Sequence, residues 1–278
     1  MLVEGNALLG GEVALVTGAG AGIGAASARR LAAEGATVAV TDLDGDRAKL
    51  VAAGIVEDGG RALGLPLDVA DEAAVGRCLE EAARTLGPVT ILHNNAAATG
   101  LSGGGGDSDV LTMTTAVWDA TMAVNLRGAM LAIRAVLPGM LARGRGSIVN
   151  TSSGAAGAAE HTRPAYGASK AGLEALTRSV ATRYGPEGVR CNAVAPGLTL
   201  TETVLGAGRG LRRMRAVFQR HTPSPLGSPD EVARVVAFLA SDAARYVNGV
   251  ILRVDGGLLA AQPYLADFLG RGQGPDND

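Results

Sequence analysis

Cysteine is almost missing from this chain: Cys78 and Cys191 are the only two in 278 residues. Two isolated thiols cannot build a disulfide framework or a metal cluster. The three histidines, His93, His161 and His221, show no ligand spacing either, so no metal is expected. No run of 18 uncharged apolar residues occurs, which argues against a membrane span. The first ten residues lack a basic start and a long apolar stretch, so a secretory signal is not expected and the predicted setting is cytoplasmic. Formal net charge is −2 with no basic block along the chain, which disfavours nucleic acid as a partner. Lysine is nearly absent too. Against a background of arginine, only Lys49 and Lys170 occur.

What is present is apolar: 47% of residues, ample for a substantial core. Short Val- and Ile-rich runs predict seven strands, at 13–17, 37–41, 61–67, 89–93, 147–151, 190–195 and 250–254. Ala/Leu-rich stretches of helical period lie between most of them, including 25–34, 72–86, 115–141 and 165–184. Apolar strands alternating with helices predict an α/β domain with a parallel sheet covered on both faces. Gly35, Gly87 and Gly185 fall just past helix ends, where a left-handed cap is expected. No composition break marks a second domain. Residues 99–109, with the glycine run 103–106, read as a flexible loop. Residues 201–225 hold Arg209, Arg212, Arg213, Arg215 and Arg220 between glycines and prolines, and read as a mobile lid. The last residues, 270–278, are expected to be disordered.

Two motifs carry chemistry. Tyr166-Gly-Ala-Ser-Lys170 sets a phenol and an ammonium four residues apart, on one face if the segment is helical. A free tyrosine keeps its proton to about pH 10, and a nearby cation lowers that by roughly 1–3 units. The pair is therefore a candidate general acid/base. The second motif, Thr17-Gly-Ala-Gly-Ala-Gly-Ile-Gly24, follows the first strand and opens the first helix. Glycines there permit a tight turn and close approach to a pyrophosphate at the helix N-terminus. Asp42 ends the second strand, where a carboxylate can accept hydrogen bonds from an adenosine ribose. A 2′-phosphate there meets like charge, and neither Ala21 nor Leu43 offers a compensating cation. That pattern favours NAD over NADP.

With both motifs in place, the chain resembles the classical short-chain dehydrogenase/reductase family over roughly residues 11–257. Asp68-Val69 matches the position where the family's carboxylate meets the adenine. Asn94-Asn95-Ala96-Ala97 resembles the family's Asn-Asn-Ala-Gly, with Ala97 in place of glycine. Asn125 matches the helix asparagine that supports a water-linked proton path to the lysine. Ser153, thirteen residues before Tyr166, matches the catalytic serine. Pro196-Gly197-Leu198-Thr199-Leu200-Thr201 resembles the segment that contacts the nicotinamide, and Asn248-Gly249 with Val254-Asp255-Gly256-Gly257 the closing strand.

The resemblance implies a Rossmann-like, doubly wound, seven-stranded parallel sheet in one domain: a core at 11–257, a lid at 201–225 and an extension at 258–278. It implies NAD as cofactor, held by Gly18, Gly22, Ile23, Gly24, Asp42, Asp68, Val69, Asn95, Tyr166, Lys170, Pro196, Gly197, Thr199 and Thr201. The catalytic set is Ser153, Tyr166, Lys170 and Asn125. The implied reaction interconverts a secondary alcohol and a ketone by hydride transfer, with Ser153 holding the reacting oxygen. Lys170 is expected to lower the Tyr166 pKa, and a homotetramer paired through 115–141 and 165–184 is expected. The extension, 258–268, is apolar enough to pack on a neighbouring subunit.

Substrate identity stays open at this stage. Val204, Leu205, Leu211, Met214, Val217 and Phe218 are candidates to line a pocket for a hydrophobic or cyclic alcohol. The lid arginines suit a carboxylate, phosphate or acyl-carrier thioester, against the simpler reading that they face solvent. The alternatives are a 3-oxoacyl-thioester reductase and, in another class, a catalytically silent NAD(H) sensor or scaffold. His161 and Arg163 lie between Ser153 and Tyr166 and read as surface loop positions that can reach substrate.

Overall fold

The computed structural model describes residues 7–99, 106–206 and 209–270. The glycines at 103–105, the last eight residues and the side chains of Arg209 and Leu211 lie outside the described residues. All seven predicted strands form one sheet: β1 (Val13–Val16), β2 (Thr37–Asp42), β3 (Arg61–Pro66), β4 (Ile91–Asn94), β5 (Gly146–Thr151), β6 (Val189–Pro196) and β7 (Ile251–Val254). Their order is β3-β2-β1-β4-β5-β6-β7, and every pairing is parallel. The order reverses between β1 and β4, which opens a crevice at the carboxyl ends of those strands.

The helices are α1 (Gly22–Ala33), α2 (Gly45–Glu57), α3 (Glu72–Leu86), α4 (Thr115–Met122), α5 (Ala129–Arg143), α6 (Pro164–Tyr184), α7 (Glu202–Leu205), α8 (Arg209–His221), α9 (Pro229–Ala240) and α10 (Leu265–Phe268). Alternation along β1 decides the layers. Ala14 and Val16 point into one buried cluster with α1, α2 and α9, while Val13 and Leu15 point into another with α3, α5 and α6. Both faces are dry, which is why the strands read as continuous apolar runs.

Several expectations change. Helix α2 is missing from the sequence reading because Gly45, Gly54 and dense charge hide its period, although Asp44 caps it through the N–H groups of Asp46 and Arg47. Gly185 is not a left-handed cap: its φ is −57°, and Gly188, at φ 85°, makes that turn after a short 3-10 helix, Gly185–Glu187. The 29-residue helical stretch Thr115–Arg143 is long and apolar enough to cross a membrane by length and composition. Leu131, Ile133, Val136, Leu137 and Met140 are instead buried within the protein's own core. Beside these changes, the extension touches its own chain, α10 on α8 and Leu259 near Gly154 (3.6 Å from Cδ1 to an added methyl), and leaves Tyr264 and Phe268 exposed.

Candidate functional site

The glycine turn sits at the crevice. Gly18 and Gly22 adopt φ of 60° and 56°, the left-handed region that glycine occupies without a Cβ penalty. A methyl at Gly18 would lie 2.7 Å from Ala96 Cα, and one at Gly24 would lie 2.5 Å from Asn95 Nδ2. The turn is thus pressed against the end of β4. Thr17 Oγ1 accepts from the Asn95 and Ala96 N–H groups (3.0 and 3.1 Å), and Asn95 Nδ2 donates to the Thr17 and Gly18 carbonyls (3.2 and 3.0 Å). Asn95 therefore acts as a tie that shapes the turn.

Whether this cradle fits a dinucleotide is decided by the end of α1. Helices α2, α3, α4, α7 and α9 are capped by Asp44, Asp71, Thr114, Thr201 and Ser228. At α1 the cap position is Ala21, and no side chain accepts from its first turn. An open helix N-terminus behind a glycine turn fits a pyrophosphate. Asp42 Oδ2 accepts from Gly20 N–H at 2.9 Å and Oδ1 from Asp44 N–H at 3.0 Å, so the carboxylate fixes the turn.

One expectation is corrected here. A cation does approach this end of the site: a methyl at Gly20 would lie 2.8 Å from Arg47 Cβ, and the Arg47 guanidinium pairs with Asp44 at 3.2 Å. Sequence proximity pointed to Ala21 and Leu43, whereas the first turn of α2 brings Arg47 back.

The remaining cofactor candidates divide. Thr201 stands beside the turn, with Cγ2 3.3 Å from a methyl built on Gly22, and its hydroxyl oxygen accepts from Val204 N–H at 3.3 Å. Thr199 is buried and bridges to Gly227, and Gly197 N–H donates to Val254 O at 3.0 Å, so residues 196–201 run along the crevice. Asp68 is exposed, with Oδ1 accepting from Ala70 N–H at 2.9 Å. Val69 is buried against Gly128, a packing role. Ile23 is partly buried in the cluster of β5, β6 and α9.

The candidate acid/base pair, Tyr166 and Lys170, lies on α6. Pro164 begins the helix, and Tyr166 and Lys170 share one face as their spacing requires. Lys170 is 1% exposed, its Nζ donates to Thr151 O at 2.8 Å, and it lies 5.6 Å from the Tyr166 ring centroid. Burial pulls this amine down from 10.5 to about 8. Burial also pushes the Tyr166 phenol up, against a hydrogen bond from Ser153 and the Arg163 charge, which lower it; Glu160 raises it. Desolvation outweighs both, and the cation that lowers this phenol is Arg163, where the sequence pointed to Lys170. Ser153 Oγ accepts from Ala155 N–H at 3.2 Å and borders the same phenol. The neighbouring Ser152 instead donates to Glu174 at 2.8 Å.

Asn125 occupies a π-helical turn, Ala123–Gly128, between α4 and α5. Such turns re-aim a side chain and gather at functional sites. Its Oδ1 accepts from Ala98 N–H at 2.8 Å and its Nδ2 donates to Ser169 Oγ at 3.0 Å.

Asp107 escaped the sequence reading altogether. It is 1% exposed, and its two carboxylate oxygens accept from the N–H groups of Ala165 and Tyr166, each at 3.0 Å. It caps α6 from the loop that follows β4. Its place after a glycine run carries no periodic signal.

Comparison with known proteins agrees with this geometry. A family model described as enoyl-(acyl carrier protein) reductase matches residues 18–259. A protein of Bradyrhizobium diazoefficiens named as a short-chain type dehydrogenase/reductase is 46% identical over 258 residues, covering 92% of this chain and 90% of that one. The chain belongs to the short-chain dehydrogenase/reductase family. A cis-4-hydroxycyclohexanecarboxylate dehydrogenase of Sinomonas cyclohexanicum is 42% identical over 251 residues, covering 90% and 97%. A solved structure from Beutenbergia cavernae, assigned as an NAD(P)-dependent gluconate 5-dehydrogenase with NADP at low occupancy, superposes with a TM-score of 0.83. It is 35% identical, covering 92% of this chain and all of that one. The chain is thus an oxidoreductase of a family that binds a nicotinamide cofactor.

Proposed function

We propose that this chain is an NAD-dependent dehydrogenase/reductase that interconverts a secondary alcohol and a ketone, with Tyr166 as general acid/base. The observation that carries the reading is a buried phenol in hydrogen-bonding range of Ser153, with the Lys170 amine 5.6 Å from its ring. When bound, the nicotinamide dinucleotide supplies the hydride chemistry; the turn at 18–24, Asp42, Asn95 and residues 196–201 would hold it. Asp68 sits at the adenine end of that path.

In oxidation, phenolate Tyr166 accepts the hydroxyl proton of the alcohol, and in reduction the phenol returns it to the ketone oxygen. Ser153 donates a hydrogen bond to the same oxygen and holds it near Tyr166. Lys170 is charged below about pH 8 and lies 5.6 Å from the ring centroid, where a cation favours the phenolate. The Asn125–Ser169 bond braces the helix behind them and ends at the Tyr166 carbonyl, 2.7 Å from Ser169 Oγ.

Asp42 supports NAD, because its charge opposes a 2′-phosphate and Asp44 engages Arg47. The relatives' names support a hydroxyl-bearing substrate. We read 201–225 as a lid: Arg212, Arg213 and Arg215 are exposed, while Met214, Phe218 and Arg220 are half-buried. Val217 and Leu205, at 41% and 55% exposure, do not line a pocket in this arrangement. A cytoplasmic setting goes with the two buried free thiols. A second reading, acyl-thioester reduction, is favoured by the description of the matching family model.

The test is initial rates for secondary alcohols, ketones and acyl thioesters with NAD(H) and NADP(H), beside Tyr166→Phe. The variant should bind NADH normally and lose about 10²–10⁴-fold in turnover. Turnover near normal in Tyr166→Phe refutes the acid/base role, and a preference for NADPH refutes the cofactor reading. An enzyme silent on every substrate, yet binding NADH tightly, revives the sensor alternative.

A further inference from the structure

The segment just before the catalytic helix is the one place where this backbone is visibly strained. Arg163 has φ 69° and ψ 50°, the only positive φ outside glycine among the described residues. A left-handed arginine is strained by its Cβ and persists only where its surroundings hold it. Three contacts do so. Its N–H donates to the Asp107 carbonyl at 3.0 Å, and its Nε donates to Glu160 Oε2 at 2.7 Å. The Asp107 carboxylate pins the next two amides, Ala165 and Tyr166. The result is a guanidinium whose central carbon lies 4.9 Å from the centroid of the Tyr166 ring, nearer than the Lys170 amine.

We infer that Arg163 is a positioning residue for Tyr166: a second cation, clamped on the face of the phenol ring by Glu160 and by a strained backbone, that favours the phenolate. The inference rests on the reading of Tyr166 as the acid/base group. The charged groups facing Tyr166 are Lys170 on α6, Arg163 and Glu160 on the segment before it, and Asp107, which holds the Tyr166 amide from the loop after β4. Ser153, after β5, contributes a hydroxyl. A guanidinium over a ring face is attractive in itself, and it stabilises negative charge on the ring oxygen. Glu160 works the other way, so the pair sets a balance rather than a fixed offset.

The sign follows directly. Alcohol oxidation requires phenolate, so the rate at saturating substrate falls as pH drops through the Tyr166 pKa. Arg163→Met keeps the bulk and removes the cation, which moves that limb to higher pH by about 0.5–1 unit, given the partial exposure of the pair. Glu160→Gln keeps the shape and removes the opposing charge, which moves the limb lower. Lys170, titrating to about 8, shares the window, and loss of a neighbouring cation shifts it in the same upward direction.

The experiment is the pH profile of kcat for oxidation in wild type, Arg163→Met, Arg163→Gly and Glu160→Gln, with Tyr166→Phe alongside. Arg163→Gly relieves the backbone strain while removing the same charge, so it should stand as high as or higher than wild type in stability and still shift the limb upward. Opposite shifts for the arginine and glutamate variants support the inference. Superimposable limbs in all four proteins, with Tyr166→Phe inactive, overturn it and leave the acid/base reading intact. Turnover retained in Tyr166→Phe removes both.

Discussion

Lys170 is the largest side chain with less than 2% of its surface exposed, and its amine is held by a single backbone carbonyl. A buried cation is a cost to folding. The drop from 10.5 to about 8 corresponds to roughly 3 kcal/mol at neutral pH. Because the folded value lies below the unfolded one, this cost is full below about pH 8. It shrinks as pH rises from there to 10.5 and is gone above that. Lys170→Met should therefore melt at a higher temperature than wild type at pH 7, with the gap closing between pH 8 and 10.5, while turnover is lost. Equal melting temperatures across that range would show that the amine is not carrying the penalty. Tyr166 and Lys170 were legible as a pair because helical spacing alone puts them together. The scarcity of lysine pointed to the same residue. Arg163 was visible only as a loop position, since no pattern announces a left-handed arginine whose charge folds back over a ring.

At the scale of elements, α6 carries most of the candidate chemistry, and its start is set from elsewhere in the chain. Asp107 satisfies two of its first amides, work that usually falls to a residue next to the helix. Asp107→Ala should cost about 1–2 kcal/mol in urea unfolding, with Asp107→Asn losing less, because one amide oxygen can still accept. A loss under a few tenths of a kcal/mol would mean that water replaces the carboxylate. Among the helices found by periodicity, α3 combines clean apolar spacing with an acidic cap, Asp71. Helix α9 carries the capping box of Ser228 and Glu231 with Pro229 at its first turn, a signal that was there to be read and was passed over. The π turn at Asn125 has no such signal, because an extra residue in a helical turn is chosen by packing against α6 and not by local propensity.

At the scale of the whole molecule, the order of strands puts the carboxyl ends of β1, β4, β5 and β6 side by side. The glycine turn, Asn95, Ser153 and residues 196–201 follow those ends in sequence and so meet at one rim. On another surface, α4, the π turn, α5 and α6 leave an open groove of about 730 Å³ lined by Trp118, Met122, Leu126, Met130 and Leu176. This groove supports pairing through these helices, and we propose a homotetramer. Light scattering should report four 27.8-kDa chains, and Trp118→Glu should yield a smaller particle. A monomeric wild type at micromolar concentration rules the assembly out. The sequence by itself determined the sheet, its parallel sense and the identity of the Tyr–Lys and glycine motifs. Each depends on spacing within a few residues, or on alternation that one strand or helix displays alone. The long-range packing alone brought Asp107 to cap α6, returned Arg47 to the glycine turn and laid Arg163 over Tyr166. Those contacts join residues whose meeting depends on how loops close over the rim, and burial, not charge spacing, then sets the balance of acidity there.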